Sequence, residues 1–322
     1  MTRLGLALAA VWGMLAAAAP WIAPYDPALQ HRGRAYAPPT PVRIVSGEGR
    51  LTAPYYHPLA VASPLERRFE EDRSRRVPVA WLAQGRLFGP PAAAEPLLVL
   101  GADGLGRDVF SRIVHGARVS LSLALLAATL ALGIGAGLGL LAGYFGGRLD
   151  ALLARVTELV LVLPALYVVV ALRAALPLVL SAREVFVLLA AIFALVAWPA
   201  AARGVRAIVA AERTRGYVEA ARAAGARRRR VLVRHLLPAA SGFLWTQFAL
   251  LVPACLLVEG VLSFAGLGFP DHVATWGTML QDAANIGALM QAPWLLAPAL
   301  AIVTVVLAVN LVVDAPRSGL RR

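Results

Sequence analysis

The stretch "GYVEAARAAGARRRRVLVRHLLPAA", Gly216–Ala240, is a polar island between two runs that are almost wholly apolar. Its reading governs the rest of the chain. Tyr217, Ala220, Ala221 and Ala224 fall on one face of a short helix, and Glu219 stands near the helix start, where the macrodipole favours an acidic side chain. Gly225 is a natural stop. Alanines keep that face flat, so another protein's groove can approach the helix backbone closely. Arg227 to Arg230 and Arg234 follow, and their aliphatic stems can snorkel while the charged heads hold the next apolar run at an anionic surface. Leu237 and Pro238 mark the turn from surface into that run.

Outward from this island the chain is greasy: 59% hydrophobic and 15% charged, with a mean hydropathy of +0.70 over 322 residues. That composition belongs in a bilayer. Lipid offers backbone groups no hydrogen-bonding partner, so each crossing must be a helix of about 20 mostly apolar residues. Six stretches qualify, approximately 4–23, 118–143, 154–173, 184–203, 239–262 and 294–313. The first begins after Arg3 and holds "AAAAP", in the manner of a secretory signal, but it exceeds the roughly 7–15 residues of a signal's apolar core and is read as an uncleaved helix.

Orientation follows from arginines in the short loops. Arg148 and Arg155 follow the second run, the cluster follows the fourth, and Arg317, Arg321 and Arg322 end the chain. The loop between the fifth and sixth runs holds Asp271 and Asp282 and no arginine. Both termini are therefore expected in the cytoplasm. The resulting organisation is a first transmembrane helix (1–23), an extracytoplasmic cap (24–117), a five-helix core (118–313) with a cytoplasmic loop (204–238), and a cytoplasmic tail (314–322). In the cap, "VRIVS" and "RLTAPYY" flank the turn "GEG", and "VPVAWLAQGRLFG" reads as a second hairpin. "ERRFEEDRSRR" between them reads as a solvated helix or loop, or more sharply as a docking surface for an external partner.

Several functions are excluded. All 31 basic residues are arginine, so no Walker A lysine is present and any nucleotide must be hydrolysed elsewhere. Cys255, the one cysteine, forms no intrachain disulfide. The net charge of +13 comes from arginines flanking apolar runs, not from a basic face with aromatic platforms, which argues against nucleic acid. Histidines at 31, 57, 115, 235 and 272 lack metal-ligand spacing. "GIGAGLGLLAGYFGG", Gly133–Gly147, lies inside an apolar run, where small residues serve close helix packing and not a dinucleotide. "GADGLGRD", Gly101–Asp108, has too few carboxylates for calcium and reads as a turn and helix start. Neither catalysis nor a resident cofactor or metal is expected.

A charge within a span is costly and usually functional. Two glutamates meet that description. Glu158 has two readings, a pair with Arg155 or a place on a translocation pathway; Glu259 lies deeper and is a pathway candidate. Pro164, Pro199, Pro253 and Pro298 lie within spans and permit kinks.

Glu219-Ala220-Ala221, followed by Gly225 and, after nine further residues, by "HLLP", resembles the EAA loop of transmembrane subunits in binding-protein-dependent ABC importers. His235 departs from the aliphatic residue usual at that place, while the Leu-Pro pair is kept. "APYDP", "GRDVFSRIVHGARVSL", "LSFAGLGF" and "TWGTML" resemble the dipeptide/oligopeptide branch of that family. The likeness covers the first span and nearly everything from residue 101 onward, with residues 28–100 contributing little. It implies an all-α polytopic membrane protein of type I ABC importer permease architecture, with a small β/loop-rich extracytoplasmic insertion. It also implies that Tyr217, Glu219, Ala220, Ala221, Ala224, Gly225, Leu237 and Pro238 couple to an ATPase. The expected partners are a second homologous permease, two cytoplasmic ATPase subunits that hold ATP and Mg, and an extracytoplasmic peptide-binding protein. The cargo the resemblance implies is di- or oligopeptides, imported by alternating access, with nickel, a sugar oligomer or an antimicrobial peptide as alternatives within the family; from another class, an autonomous channel or sensor fits the same composition.

Overall fold

The computed structural model describes residues 2–45, 50–63, 67–83, 85–91, 94–177 and 180–313. The chain begins with helices α1 (Thr2–Ala17) and α2 (Ala19–Ile22) and then forms strands β1 (Val42–Val45), β2 (Leu51–Tyr56), β3 (Leu59–Ser63), β4 (Arg68–Glu71), β5 (Val77–Pro78), β6 (Ala80–Trp81) and β7 (Phe88–Gly89). Helices α3 (Val109–Phe145), α4 (Gly147–Val162), α5 (Ala165–Ala174), α6 (Ala182–Glu212), α7 (Gly216–Ala223) and α8 (Arg228–Val231) follow. A π-turn (Leu232–Leu236) leads to α9 (Leu237–Ala239), α10 (Ser241–Phe264), α11 (Trp276–Ala283), α12 (Ile286–Gln291), a 3-10 turn (Pro293–Leu296) and α13 (Ala297–Val313). The tail expected at 314–322 and the turn "GEG" lie outside the described residues.

Packing separates two compact units. One comprises Ser122–Val258 with the described residues before Leu6 and after Val305; the other comprises Leu6–Leu121 and Glu259–Val305.

In the first unit the glycine run of α3 does what small residues do between membrane helices. Gly135, Gly139 and Gly143, one per turn, face α6: a Cβ on them would lie 2.7 Å from Trp198 O, 2.5 Å from Ala202 O and 2.7 Å from Arg206 O. Gly133 and Gly137, on the other side, face open space. Helix α6 begins at a capping box, with Ser181 accepting from Glu184 N and the Glu184 side chain accepting from Ser181 N. A core of Val205, Val209, Val218, Val231, Leu236 and Ala240 joins the end of α6 to the polar island.

Among the described residues four helical stretches are long and apolar enough to cross a membrane, α3, α6, α10 and Pro293–Val312, with a fifth if the bent pair α4–α5 is counted as one span. Two of the six expected spans are interrupted. The run 154–173 is not continuous, because α4 and α5 meet at an 84° bend; Leu163 is extended, as the residue before a proline prefers, and Pro164 supplies no N–H. The first run breaks at Ala18, where α1 ends and the four-residue α2 begins with Pro20 in its first turn, and hydrogen bonds from Ala18 N to Met14 O and from Ile22 N to Ala18 O carry the helical path across the break. Pro298 needs no kink, since it sits in the first turn of α13.

The second unit carries the strands. β1, β2 and β5 form one antiparallel sheet, β3 and β4 a ribbon, and β6 and β7 a short hairpin. The expected second hairpin is therefore split, because Val77 and Pro78 pair with Tyr56 and Tyr55 instead. The charged run read as a solvated helix or loop holds strand β4. Its half-buried Phe69 packs on Ala37, Leu59, Leu98 and Ala102, and Glu71, two residues on and on the same face, pairs with Arg43 at 2.6 Å, while Arg68 and Glu70 face solvent. A single aromatic at period two outweighs the charges around it.

Candidate functional site

Helix α7 is short, polar and nearly all surface. Val218 alone is buried, and it anchors the helix in the core of Val205, Val209, Val231 and Leu236. Tyr217, Glu219, Ala220, Ala224 and Gly225 are exposed, and Ala221 is half-buried. The end of the helix is fixed by a Schellman motif: Ala226 N donates to Ala221 O at 3.0 Å and Gly225 N to Arg222 O at 2.9 Å, with Gly225 in the left-handed region at φ 77°. Only glycine takes that conformation freely.

Arginines tie the island to its neighbours. Arg213 Nη1 donates to Gly143 O at 3.2 Å and Tyr144 O at 3.3 Å, occupying carbonyls left free at the end of α3. The Arg222 guanidinium lies 4.9 Å above the Tyr144 ring. Tyr217 donates to Glu212 Oε2 at 2.7 Å, and this bond to a carboxylate holds its hydroxyl above the usual phenol range. Leu237 and Pro238 follow the π-turn, where the chain winds one residue wider just before a proline that has no N–H to give. They line an open apolar groove of about 700 Å³ with Leu132, Trp245 and Phe248. The spacing of the sequence gave no signal for the π-turn.

The two glutamates occupy different surroundings. Glu158 is exposed and shares a small cavity of about 50 Å³ with Thr157, Trp198, Arg203 and Arg206; Arg155 does not line it. Arg206 is itself held in a fork by Asp150, with Nη2 at 2.7 Å from Oδ2. Glu259 is buried, at 1% exposure. Its Oε1 accepts from Ser263 Oγ at 2.8 Å and Thr275 Oγ1 at 2.7 Å, and its Oε2 from Ser120 Oγ at 3.3 Å. Trp276 N donates in turn to Ser120 Oγ at 3.1 Å. A Cβ at Gly277 would come within 2.6 Å of Glu259 Oε1, so the glycine admits the carboxylate. Glu259 thus fastens the last turns of α10 to the start of α11.

One cluster was missed in the sequence. Within "GADGLGRD", buried Asp103 accepts from Leu105 N and Arg107 N through Oδ1, each at 2.9 Å, and from Arg107 Nε through Oδ2 at 2.6 Å. Arg112 Nε lies 3.4 Å from the same Oδ2. Arg107 Nη1 also donates to Asp271 O at 2.9 Å, and Arg112 Nη1 to Pro27 O at 3.1 Å. Burial, reinforced by Asp103, raises the Asp282 carboxyl above its ordinary range. Asp108 caps α3 by accepting from Ser111 N at 2.8 Å, and burial pushes its carboxyl up to about 7. The i,i+4 spacing of Asp103 and Arg107 was visible in the sequence; the partners near 27, 271 and 282 were not. Among the described residues no His/Cys/Asp/Glu group is arranged to hold a metal ion.

Residues 135–317 match the family model described as "Binding-protein-dependent transport system inner membrane component". The chain is 32% identical over 303 residues to the di/tripeptide transport system permease protein DppC of Pseudomonas aeruginosa, covering 94% of this chain and 81% of that protein. It is 36% identical over 221 residues to the oligopeptide transport system permease protein OppC of Bacillus subtilis, covering 68% of this chain and 70% of that one. In fold it is similar to a chain of the inward-facing MetNI methionine ABC transporter, with a TM-score of 0.50 and 19% identity over 64% of this chain and 96% of that chain. With residues 135–317, more than half of the chain, matched to this model, the chain belongs to the family of binding-protein-dependent transport system inner membrane components.

Proposed function

We propose that this chain is a permease subunit that moves di- or oligopeptides across the cytoplasmic membrane by alternating access, driven by separate ATPase subunits seated on α7. The observation that carries the reading is the form of α7: an exposed, small-residue surface fixed to the helical core through Val218 and closed by a glycine cap. A helix so held transmits a push instead of yielding to it. Peptide cargo is supported by the relatives, which are named for oligopeptides and di/tripeptides. ATP and Mg belong to the partner ATPases, since this chain has no lysine for a Walker A loop. A second homologous permease and an extracytoplasmic peptide-binding protein complete the assembly. The arginine distribution supports cytoplasmic termini.

Tyr217, Glu219, Ala220, Ala221, Ala224 and Gly225 form the proposed contact, with Leu237 and Pro238 setting the exit from it. Glu158 is the pathway candidate. For Glu259 the closed cluster of hydroxyls supports a positioning role in place of contact with cargo. Two substitutions test the reading. Gly225→Leu forces a side chain into the left-handed region and is expected to separate ATP hydrolysis from uptake while membrane insertion persists. Ala221→Cys is expected to crosslink to an ATPase subunit in the intact complex. Unchanged uptake in the first, or adducts only with lipid in the second, overturns the assignment.

A further inference from the structure

Away from α7, the described residues include three non-glycine positions with positive φ: Tyr36 at 56°, Arg67 at 51° and Leu82 at 51°. Two of the three meet. Tyr36 and Arg67 line one open pocket of about 400 Å³ with Arg68, Phe69, Gln291 and Trp294, and the Arg67 guanidinium stands 4.8 Å above the Tyr36 ring. Strained backbone persists only where its surroundings enforce it, and it concentrates at ligand clamps.

Two of the lining rings are held from behind by "GADGLGRD", which the α7 reading leaves unused. Trp294 Nε1 donates to Ala102 O at 2.9 Å, and the ring lies so close to Gly101 that a Cβ there would be 2.7 Å from Nε1. Tyr36 N donates to Asp103 O at 2.9 Å, and its hydroxyl would meet a Cβ on Gly104 at 2.8 Å. The buried Asp103–Arg107 pair holds this loop. Two rings are thus locked before anything binds.

The rim has the opposite chemistry. Arg67 forms no ion pair among the described residues, and the partner of Arg68 is Glu70 at 3.8 Å, with both side chains more than 60% exposed. A third arginine near the strands, Arg34, is already taken by Glu95 at 2.6 Å. Two available guanidinium groups beside three aromatic faces suit one chemistry: a carboxylate attached to an apolar or aromatic side chain.

We infer that the Tyr36–Arg67–Arg68–Phe69–Trp294 pocket binds the carboxylate end of a short peptide, its last side chain against the rings and its carboxylate between the two arginines. The inference rests on the peptide reading for its biological ligand, but its test needs no transport. The full chain, in nanodiscs with the subunits that co-purify, is titrated with N-acetyl-phenylalanine and with N-acetyl-phenylalanine amide, followed by saturation-transfer NMR and tryptophan fluorescence. The acid is expected to bind at least tenfold more tightly than the amide. Arg67→Ala and Arg68→Ala should each weaken the acid about tenfold and leave the amide unchanged, and Trp294→Phe should abolish the fluorescence response. The proposal is overturned if acid and amide bind alike, if neither saturates, if inorganic phosphate displaces the acid at equal concentration, or if the arginine variants bind normally. Shielding of Arg67 by an added external binding protein, with no acid binding, would assign the pocket to a protein surface and overturn it as well. A failed α7 crosslink with the acid still bound would remove the importer reading and leave this site standing.

Discussion

A carboxylate taken out of water is costly unless its oxygens find donors, and two buried acids here meet that demand differently. Glu259 is surrounded by three hydroxyls, each of which can rotate to donate. Asp108 has donors on one side only: Oδ2 accepts from Ser111 N, while Oδ1 has no hydrogen-bond partner among the described residues. Burial accordingly raises the Asp108 carboxyl from its ordinary 3.8 to about 7. Below about pH 4 the group is protonated in both folded and unfolded chains. As pH rises the unfolded chain ionises first, so stability is lost across the window from about 4 to about 7 and the loss is complete above it. The melting temperature of the full chain in detergent should fall through that window more steeply for the wild type than for Asp108→Asn, which keeps an acceptor for Ser111 and carries no titrating proton. Parallel curves would show that Asp108 is ionised in the folded chain.

Between elements, the glycines of α3 decide how closely α6 approaches. A side chain at Gly139 has nowhere to go, because the first atoms it meets are the Ala202 carbonyl oxygen, the Val205 Cβ and the backbone N of Arg206. Gly139→Val is expected to destabilise the chain by about 3 kcal/mol, the upper range for overpacking against backbone, and to lower the folded yield. Gly137→Val, two residues away and facing open space, is the control and should be near neutral. Equal losses in thermal unfolding would remove the packing role. The glycine stripe was legible because its spacing falls inside an apolar run. Element limits were less so. The apolar run of span two was expected from residue 118, and the helix start read in "GADGLGRD" is where α3 begins, at Val109; what local spacing did not show is that Arg112 lies buried against Asp103. Pro164 was expected to kink a span, but the sequence does not show that Leu163 turns extended and the chain bends through 84°.

Across the whole molecule, what the sequence conveyed is what local spacing can encode. The EAA spacing, the Gly225 stop and the apolar runs are short-range patterns, and they sufficed for the family. The hydroxyl cage of Glu259 draws on residues 120, 263 and 275, and the pocket at Tyr36 on residues 69 and 294. No window of sequence contains either. Membrane sidedness depends on a third kind of information, the distribution of arginine over loops, and it yields the last prediction. Ala60 in β3 and Ala223 in α7 are both exposed, while the single native thiol, Cys255, is buried, so introduced cysteines can be read against little background. A membrane-impermeant maleimide should label Ala60→Cys in intact cells as fully as after lysis, and Ala223→Cys only after lysis. The long, basic segment after α1 is the place where a charge-counting rule loses its hold, which makes Ala60 the more demanding position of the two. Labelling of Ala60→Cys only after lysis, with Ala223→Cys labelled in intact cells, would invert the orientation and put α7 out of reach of any cytoplasmic ATPase.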